Sequence, residues 1–160
     1  MLTVTVDDTQ LIKTLNDMPR KIRESLYKTV YALALKLQKH IVVNKLQGQV
    51  LGKRTGALQR SIQNEVVQNN QGTIGRVFSS GDVKYAAFWE YGGIIPPHII
   101  MPKHADALAF MMNGKQVFAK KVMHPGYTAA PRSFMRSSLR DMRSEILDSI
   151  QRAIGEATKL

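Results

Sequence analysis

A chain of 160 residues, 44% hydrophobic and 22% charged, is long enough to bury a core and too apolar to be wholly disordered. Its lack of cysteine excludes disulfides, thiol catalysis, iron–sulfur clusters and cysteine-ligated zinc. Twenty-three Lys and Arg against 12 Asp and Glu give a net charge of +11 and a pI near 10.1, so the chain is drawn to polyanions.

Residues 2–6, Leu-Thr-Val-Thr-Val, alternate and are rich in β-branched side chains, which predicts a short strand. Asp7, Asp8 and Thr9 offer an N-cap for a short helix through Leu11, Ile12 and Leu15. Asp17 and Pro19 then open a long helix. Ile22, Leu26, Val30, Leu33, Leu37 and Ile41 recur on one of its faces, and it should end before Gly48. The stretch 47–54 holds Gly48 and Gly52 and no apolar period. It predicts a mobile loop with Val50 and Leu51 exposed, free to meet a neighbour. Thr55 caps a short helix over 56–62, and a hairpin follows, 64–70 with 73–79, turning at Asn69-Asn70-Gln71-Gly72.

Residues 85–91, Tyr-Ala-Ala-Phe-Trp-Glu-Tyr, are dense in aromatic rings and stop at Gly92-Gly93. Pro96, Pro97 and Pro102 make 93–105 an irregular or extended excursion. A second hairpin is predicted, 107–112 with 116–123, around Asn113-Gly114. His124-Pro125-Gly126 ends it. Pro131 then opens a second long helix with Met135, Leu139, Met142, Ile146, Ile150 and Ala153 on one face. The sum is one α+β domain over 1–160, a mostly antiparallel sheet of about four to five strands packed against two long amphipathic helices. No apolar stretch is long enough to span a bilayer, and the first residues lack the features of an export signal. A cytoplasmic protein is expected, unless a larger particle carries it out.

The charge surplus is uneven. Residues 1–60 hold 11 basic and 4 acidic side chains, and no acid falls between Ser25 and Asn64. Lys45, Lys53, Arg54 and Arg60 lie in that stretch and are the candidate contacts to a DNA path; the same residues also suit a solvated helix face. His40, His98, His104 and His124 lack the paired spacing of metal ligands. Lys53-Arg54-Thr55 does not complete a phosphate-binding glycine loop, and no Gly-x-Ser-x-Gly elbow occurs. Glu90, between Trp89 and Tyr91, is either a desolvated acid–base group or the partner of a basic side chain, within the domain or across an interface. With no second carboxylate or histidine near it in sequence, the second role is preferred. Tyr85, Trp89 and Tyr91 are not interleaved with Lys or Arg, so core or protein interface is preferred over base stacking. Val50, Leu51, Tyr85, Trp89, Glu90 and Tyr91 are thus the candidate interface residues. No catalytic residue, cofactor or metal is expected.

Three stretches carry a resemblance. Arg54-Thr55-Gly56-Ala57-Leu58-Gln59-Arg60-Ser61-Ile62 resembles the R-T-G-x-L-x-x-S-I segment of the tail-completion, or neck, family of long-tailed siphophages. Tyr85-Ala86-Ala87-Phe88-Trp89-Glu90-Tyr91-Gly92 is similar to that family's Y-A-x-x-x-E-x-G segment. His124-Pro125-Gly126 with Pro131-Arg132-Ser133-Phe134-Met135-Arg136 resembles its closing H-P-G … P-x-F-[LM]-R run. Order and separations also match, so the resemblance spans about residues 1–155. Gly93 departs from the family's commoner Thr, and Ser137-Ser138 from its commoner Pro-Ala.

The resemblance implies a structural virion protein with no enzyme activity and no cofactor. It implies a homo-oligomeric ring in the neck, six-fold by preference and twelve-fold as the alternative. Such a ring joins head-completion or portal-side connector proteins to tail terminator or tail tube proteins. DNA runs through its lumen, where backbone contacts carry no sequence preference. Assembly takes place in the host cytoplasm, no membrane is involved, and the final location is the virion. From the residues alone a different class stays open, a small basic nucleic-acid-binding or nuclease-like protein.

Overall fold

The computed structural model describes residues 2–5, 20–52, 55–69, 72–81 and 83–158. Strand β1 (Leu2–Thr5) occupies the predicted alternating stretch. The expected cap at Asp7-Asp8-Thr9, the short helix through Leu15, and the Asp17-Pro19 start lie outside the described residues. Helix α1 (Arg20–His40) follows the predicted periodicity and buries Ile22, Leu26, Ala34 and Leu37. It continues as a π-helical turn, Ile41–Lys45. The wider turn is closed by the Leu46 N–H donating to the Ile41 carbonyl at 3.1 Å. It places Ile41 and Leu46, five residues apart, both in the core.

The chain then folds back on itself. The Val50 and Leu51 N–H groups both donate to the Lys45 carbonyl, at 3.1 and 3.2 Å. Leu51 is buried in the main core and Val50 packs against it. The expected exposure of Val50 and Leu51 is therefore corrected, while Gln47, Gly48, Gln49 and Gly52 are exposed as a loop. The apolar pair had a core within reach, and burying it outweighs the freedom of the flanking glycines.

Helix α2 (Ala57–Ser61) starts one residue after the predicted Gly56, which takes the N-cap position, and Thr55 Oγ1 accepts the Ala57 N–H at 3.3 Å. Strands β2 (Ile62–Asn69) and β3 (Gly72–Ser79) form the predicted hairpin, with Val67 opposite Ile74. β1 pairs with the other edge of β3, Leu2 opposite Ser79, so the sheet order is β1-β3-β2. Helix α1 lies across this sheet. Helices α4 (Met135–Asp141) and α5 (Arg143–Thr158) form the second helical stretch. They are separated at Met142, across which hydrogen bonds from Met142 to Ser138 and from Ile146 to Met142 carry the axis on. The stretch starts at Met135 rather than at Pro131. Leu37, Ile41, Leu46, Leu51, Ile62, Val77, Ala86, Phe134, Met135, Met142 and Ile146 make one core, and Ile22, Leu26 and Ala153 a smaller one between α1 and α5. No helix among the described residues is long and apolar enough to cross a membrane.

Between helix α3 (Tyr85–Tyr91) and α4 the chain leaves the body as a two-stranded arm, 93–129. β4 (Gly93–Ile95) pairs with β9 (Tyr127–Ala129), β5 (His98–Ile100) with β8 (Val122–His124), and β6 (Leu108–Met112) with β7 (Lys115–Ala119), all antiparallel. Ile95 faces Tyr127 and His98 faces His124, so the first two ladders share one register across the Pro96-Pro97 gap. Residues 101–107 loop out before the tip ladder resumes at Leu108 opposite Ala119. The tip turn is Asn113-Gly114, with φ of 53° and 77°, the left-handed pair that a two-residue hairpin demands. The predicted second hairpin is thus present, but its return strand stops at Ala119. The predicted irregular or extended excursion is extended at β4 and β5, where it forms half of a ribbon, and irregular over 101–107.

Two glycines make the ribbon possible. At Gly92, φ is +77° and a Cβ would stand 2.7 Å from the Ala129 carbonyl oxygen. At Gly126, φ is +87° and a Cβ would stand 2.8 Å from that of Ile95. The expected sheet of four to five strands is therefore corrected. The described residues form one three-stranded sheet and three two-stranded ladders. Pro96, Pro97, Pro102 and Pro125 lack the N–H groups that a further strand would need.

Candidate functional site

The site is built around Glu90. In α3, Ala86 and Glu90 are one helical turn apart and both point inward, while Tyr85 and Tyr91 stay 44% and 53% exposed. Glu90 itself is fully buried. Its carboxylate meets the N-terminus of α4. Oε2 accepts the Phe134 and Met135 N–H groups at 2.7 and 2.9 Å. Oε1 accepts the Ser133 hydroxyl at 2.7 Å, and the Arg136 N–H and guanidinium Nε both at 3.0 Å. A second guanidinium nitrogen of Arg136 donates to the Glu90 carbonyl at 2.9 Å, and the same group lies 4.5 Å over the Tyr91 ring. Glu90 is thus an N-cap supplied from another helix, satisfying the free N–H groups of the first turn and meeting the positive end of the dipole.

Burial pushes this carboxyl up; the donors from Met135, Arg136, Ser133 and Phe134 outweigh it and hold it below its usual 4.5. A carboxyl lowered on folding adds stability above its unfolded value and loses it as pH falls toward the folded one. Unfolding free energy should therefore decline below about pH 4.5, and Glu90→Gln should flatten that decline. Paired urea titrations at pH 7 and pH 3.5 check this. An unchanged pH slope in the variant would remove Glu90 as its source.

Glu90 was expected to pair with a basic side chain, and Arg136 is that partner. It was also a candidate interface residue. That role is corrected, because its side chain is consumed within the chain. The same holds for Leu51, which is buried, whereas Val50 packs against the core and keeps part of its surface open. Trp89 is half-buried, edge-on to Phe88 at 5.4 Å and 80°, with the Arg132 guanidinium 5.5 Å over its ring. Tyr85 and Tyr91 remain open to a partner. Nothing local in the sequence marks the proximity of Ser133 and Arg136 to Glu90, since they lie 43 and 46 positions away in the chain.

Beside this joint lies a cleft of about 490 Å³, lined by Leu46, Leu51, Gly52, the run Thr55 to Gln59, Tyr85, Trp89 and Arg132. The stretch 55–59, helix α3 and the segment before α4 thus converge on one opening. Gln59 fixes its floor by donating to the Leu46 carbonyl at 2.7 Å.

The cations are placed unequally. Lys45 is ion-paired with Asp141 at 2.6 Å and its side chain is only 17% exposed. Hydrogen bonding to Lys45 holds the Asp141 carboxyl below its usual range, against the opposing effect of burial, and the Lys45 charge and His40 add to the lowering. Lys45 therefore offers no free charge to DNA, and that candidacy is corrected. Lys36 pairs with Glu145. Arg60 is exposed, with one nitrogen donating to the Thr55 carbonyl at 3.2 Å, and Lys39 is exposed on α1. Lys53 and Arg54 lie outside the described residues. Among the described residues no group of three or more His, Asp or Glu is placed to hold a metal ion. Comparison with protein-family models, with curated proteins and with solved structures gave no match to this chain.

Proposed function

We propose that this chain is a structural virion protein that forms a ring in the neck of a long-tailed phage, joining the portal side of the capsid to the tail around the DNA path. The observation that supports it most is the convergence on one cleft. Three stretches that resemble the neck family separately, near 55–62, 85–92 and 131–136, meet around the same opening. The acid of the second caps the helix that begins in the third. Motifs found in order along a chain gain weight when they touch in space, because chance matches have no reason to do so.

The same joint weakens the enzymatic alternative at its best candidate. A general acid or base must reach a substrate proton. Both Glu90 oxygens face protein donors, and the side chain has no exposed surface.

The decisive experiment is genetic. In a phage that encodes this chain, deletion of its gene should leave filled heads and finished tails that do not join. Electron microscopy would show both species side by side. Joined, infectious particles from the deletion would overturn the proposal. The lumen contact has its own test. Affinity of the purified protein for bulk DNA should fall steeply with salt, with a slope of about −0.9 per phosphate neutralised. Lys39→Glu with Arg60→Glu should flatten it without unfolding the protein, since both side chains are exposed. A salt-independent affinity would remove the DNA contact.

A further inference from the structure

The arm 93–129 is a surface without a cover. A lone two-stranded ribbon is marginal in water. This one leaves 26 of its 37 residues exposed. Ten of the 18 large apolar side chains that stand exposed among the described residues are on it. A standard protein interface engages about 20–30 residues a side, so the arm alone offers a full-sized one. Its strands pack on each other, and α1 makes its extensive contacts with the sheet, α4 and α5 rather than with any arm strand.

The apolar residues occupy both sides of the ribbon. Ile99 pairs with Met123 on one side, 55% and 65% exposed, while Ile100 pairs with Val122 on the other. The root half has a second property. Residues 93–102 and 122–129 contain no Asp, Glu, Lys or Arg. The arm's charges, Lys103, Asp106, Lys115, Lys120 and Lys121, lie beyond it. A segment meant for an acidic partner would carry its lysines at the contact. An uncharged one is what a second copy of a chain with net charge +11 can accept without repulsion.

The chain also carries a matching surface. On the side of α1 turned away from the core, Tyr27, Tyr31 and Leu35 recur at intervals of four and are 37%, 46% and 41% exposed. The two tyrosine rings stack at 6.5 Å and 18°. This row is apolar and one helical ridge wide.

We propose that the root half of the arm docks on a second copy of this chain, laying the Ile99–Met123 face along the Tyr27–Tyr31–Leu35 row of that copy's α1. The contact uses two different surfaces, so it propagates head to tail and closes when the rotation allows. It deepens the ring proposed above and rests on that reading for closure alone.

Because the chain has no cysteine, introduced thiols report without background. Ile99→Cys protein is mixed with Tyr31→Cys protein under mild oxidation, free and within assembled particles. The control replaces Tyr31→Cys by Gln151→Cys, on the exposed side of α5. The mixed disulfide should form several-fold faster with Tyr31→Cys than with the control. Ile99→Glu with Met123→Glu should weaken self-association by sedimentation and leave circular dichroism unchanged, since both side chains are exposed. A mixed disulfide no faster than the control overturns the inference, and so does a dominant Ile99→Cys homodimer, which would mean arms packed on arms. If heads and tails need this chain to join but no mixed disulfide forms in particles, the arm inference falls and the ring stands. If the disulfide forms but the gene is dispensable for joining, the reverse holds.

Discussion

Glu90→Ala is expected to destabilise the protein by about 3–5 kcal/mol, because it strands two buried backbone donors at once, each costing about 1–3 kcal/mol when left without an acceptor. The loss is large because several groups are stranded together. The Phe134 and Met135 N–H groups are buried and have their acceptor in Glu90, and the Arg136 guanidinium loses its carboxylate. Glu90→Gln keeps one acceptor oxygen but turns an NH₂ toward N–H donors, so it should fall between wild type and alanine. Trp89, the single tryptophan, sits next to the joint and reports the urea transition by its fluorescence. A loss under about 1 kcal/mol, the scale of an ordinary exposed cap, would show that the joint is not structural.

Phe134→Ala should cost a similar amount by a different route, about 3–5 kcal/mol for emptying a fully buried aromatic site. Phe134 has no exposed surface and belongs to the main core beside Met135, Ile41 and Ile146. Phe134→Leu keeps most of the volume and should cost well under half as much. The two sites touch, because the Phe134 N–H is one of the donors to Glu90. Their double variant should therefore fall short of the sum of the singles. Additive losses in a urea double-mutant cycle would mean that cap and core are held independently.

What was legible in the sequence follows from range. Helix α1 was plain because six apolar residues repeat along it, and that pattern needs no distant partner. The hairpin β2–β3 and the tip turn at Asn113-Gly114 were plain because turn chemistry is local. The arm's root was not. Its ladders pair Gly93 with Ala129 across 36 positions, and the prolines between them argued for irregular chain. Leu51 was misplaced because two glycines nearby suggest freedom, whereas burial depends on the core it meets. The partner of Glu90 was predicted by type but not by name. Three of its five donors are backbone N–H groups, which no residue type marks. Only Ser133 and Arg136 leave a trace in the side chains.

The ribbon also acts on chain entropy. Glu90 and Phe134 are 44 positions apart, and closing so long a loop for a single cap is costly. With Gly93 already held against Ala129, the separation to be closed shrinks to three positions on one side and five on the other. A loop shortened by that factor saves about 1.5 kcal/mol of closure free energy, by the logarithmic dependence on length. The arm can zip outward-in from its tip, each rung adding only a small further closure. Its closed root holds the end of α3 near the start of α4. The root strand pair thus works as a tether, and cutting it there would loosen the buried joint a few residues away.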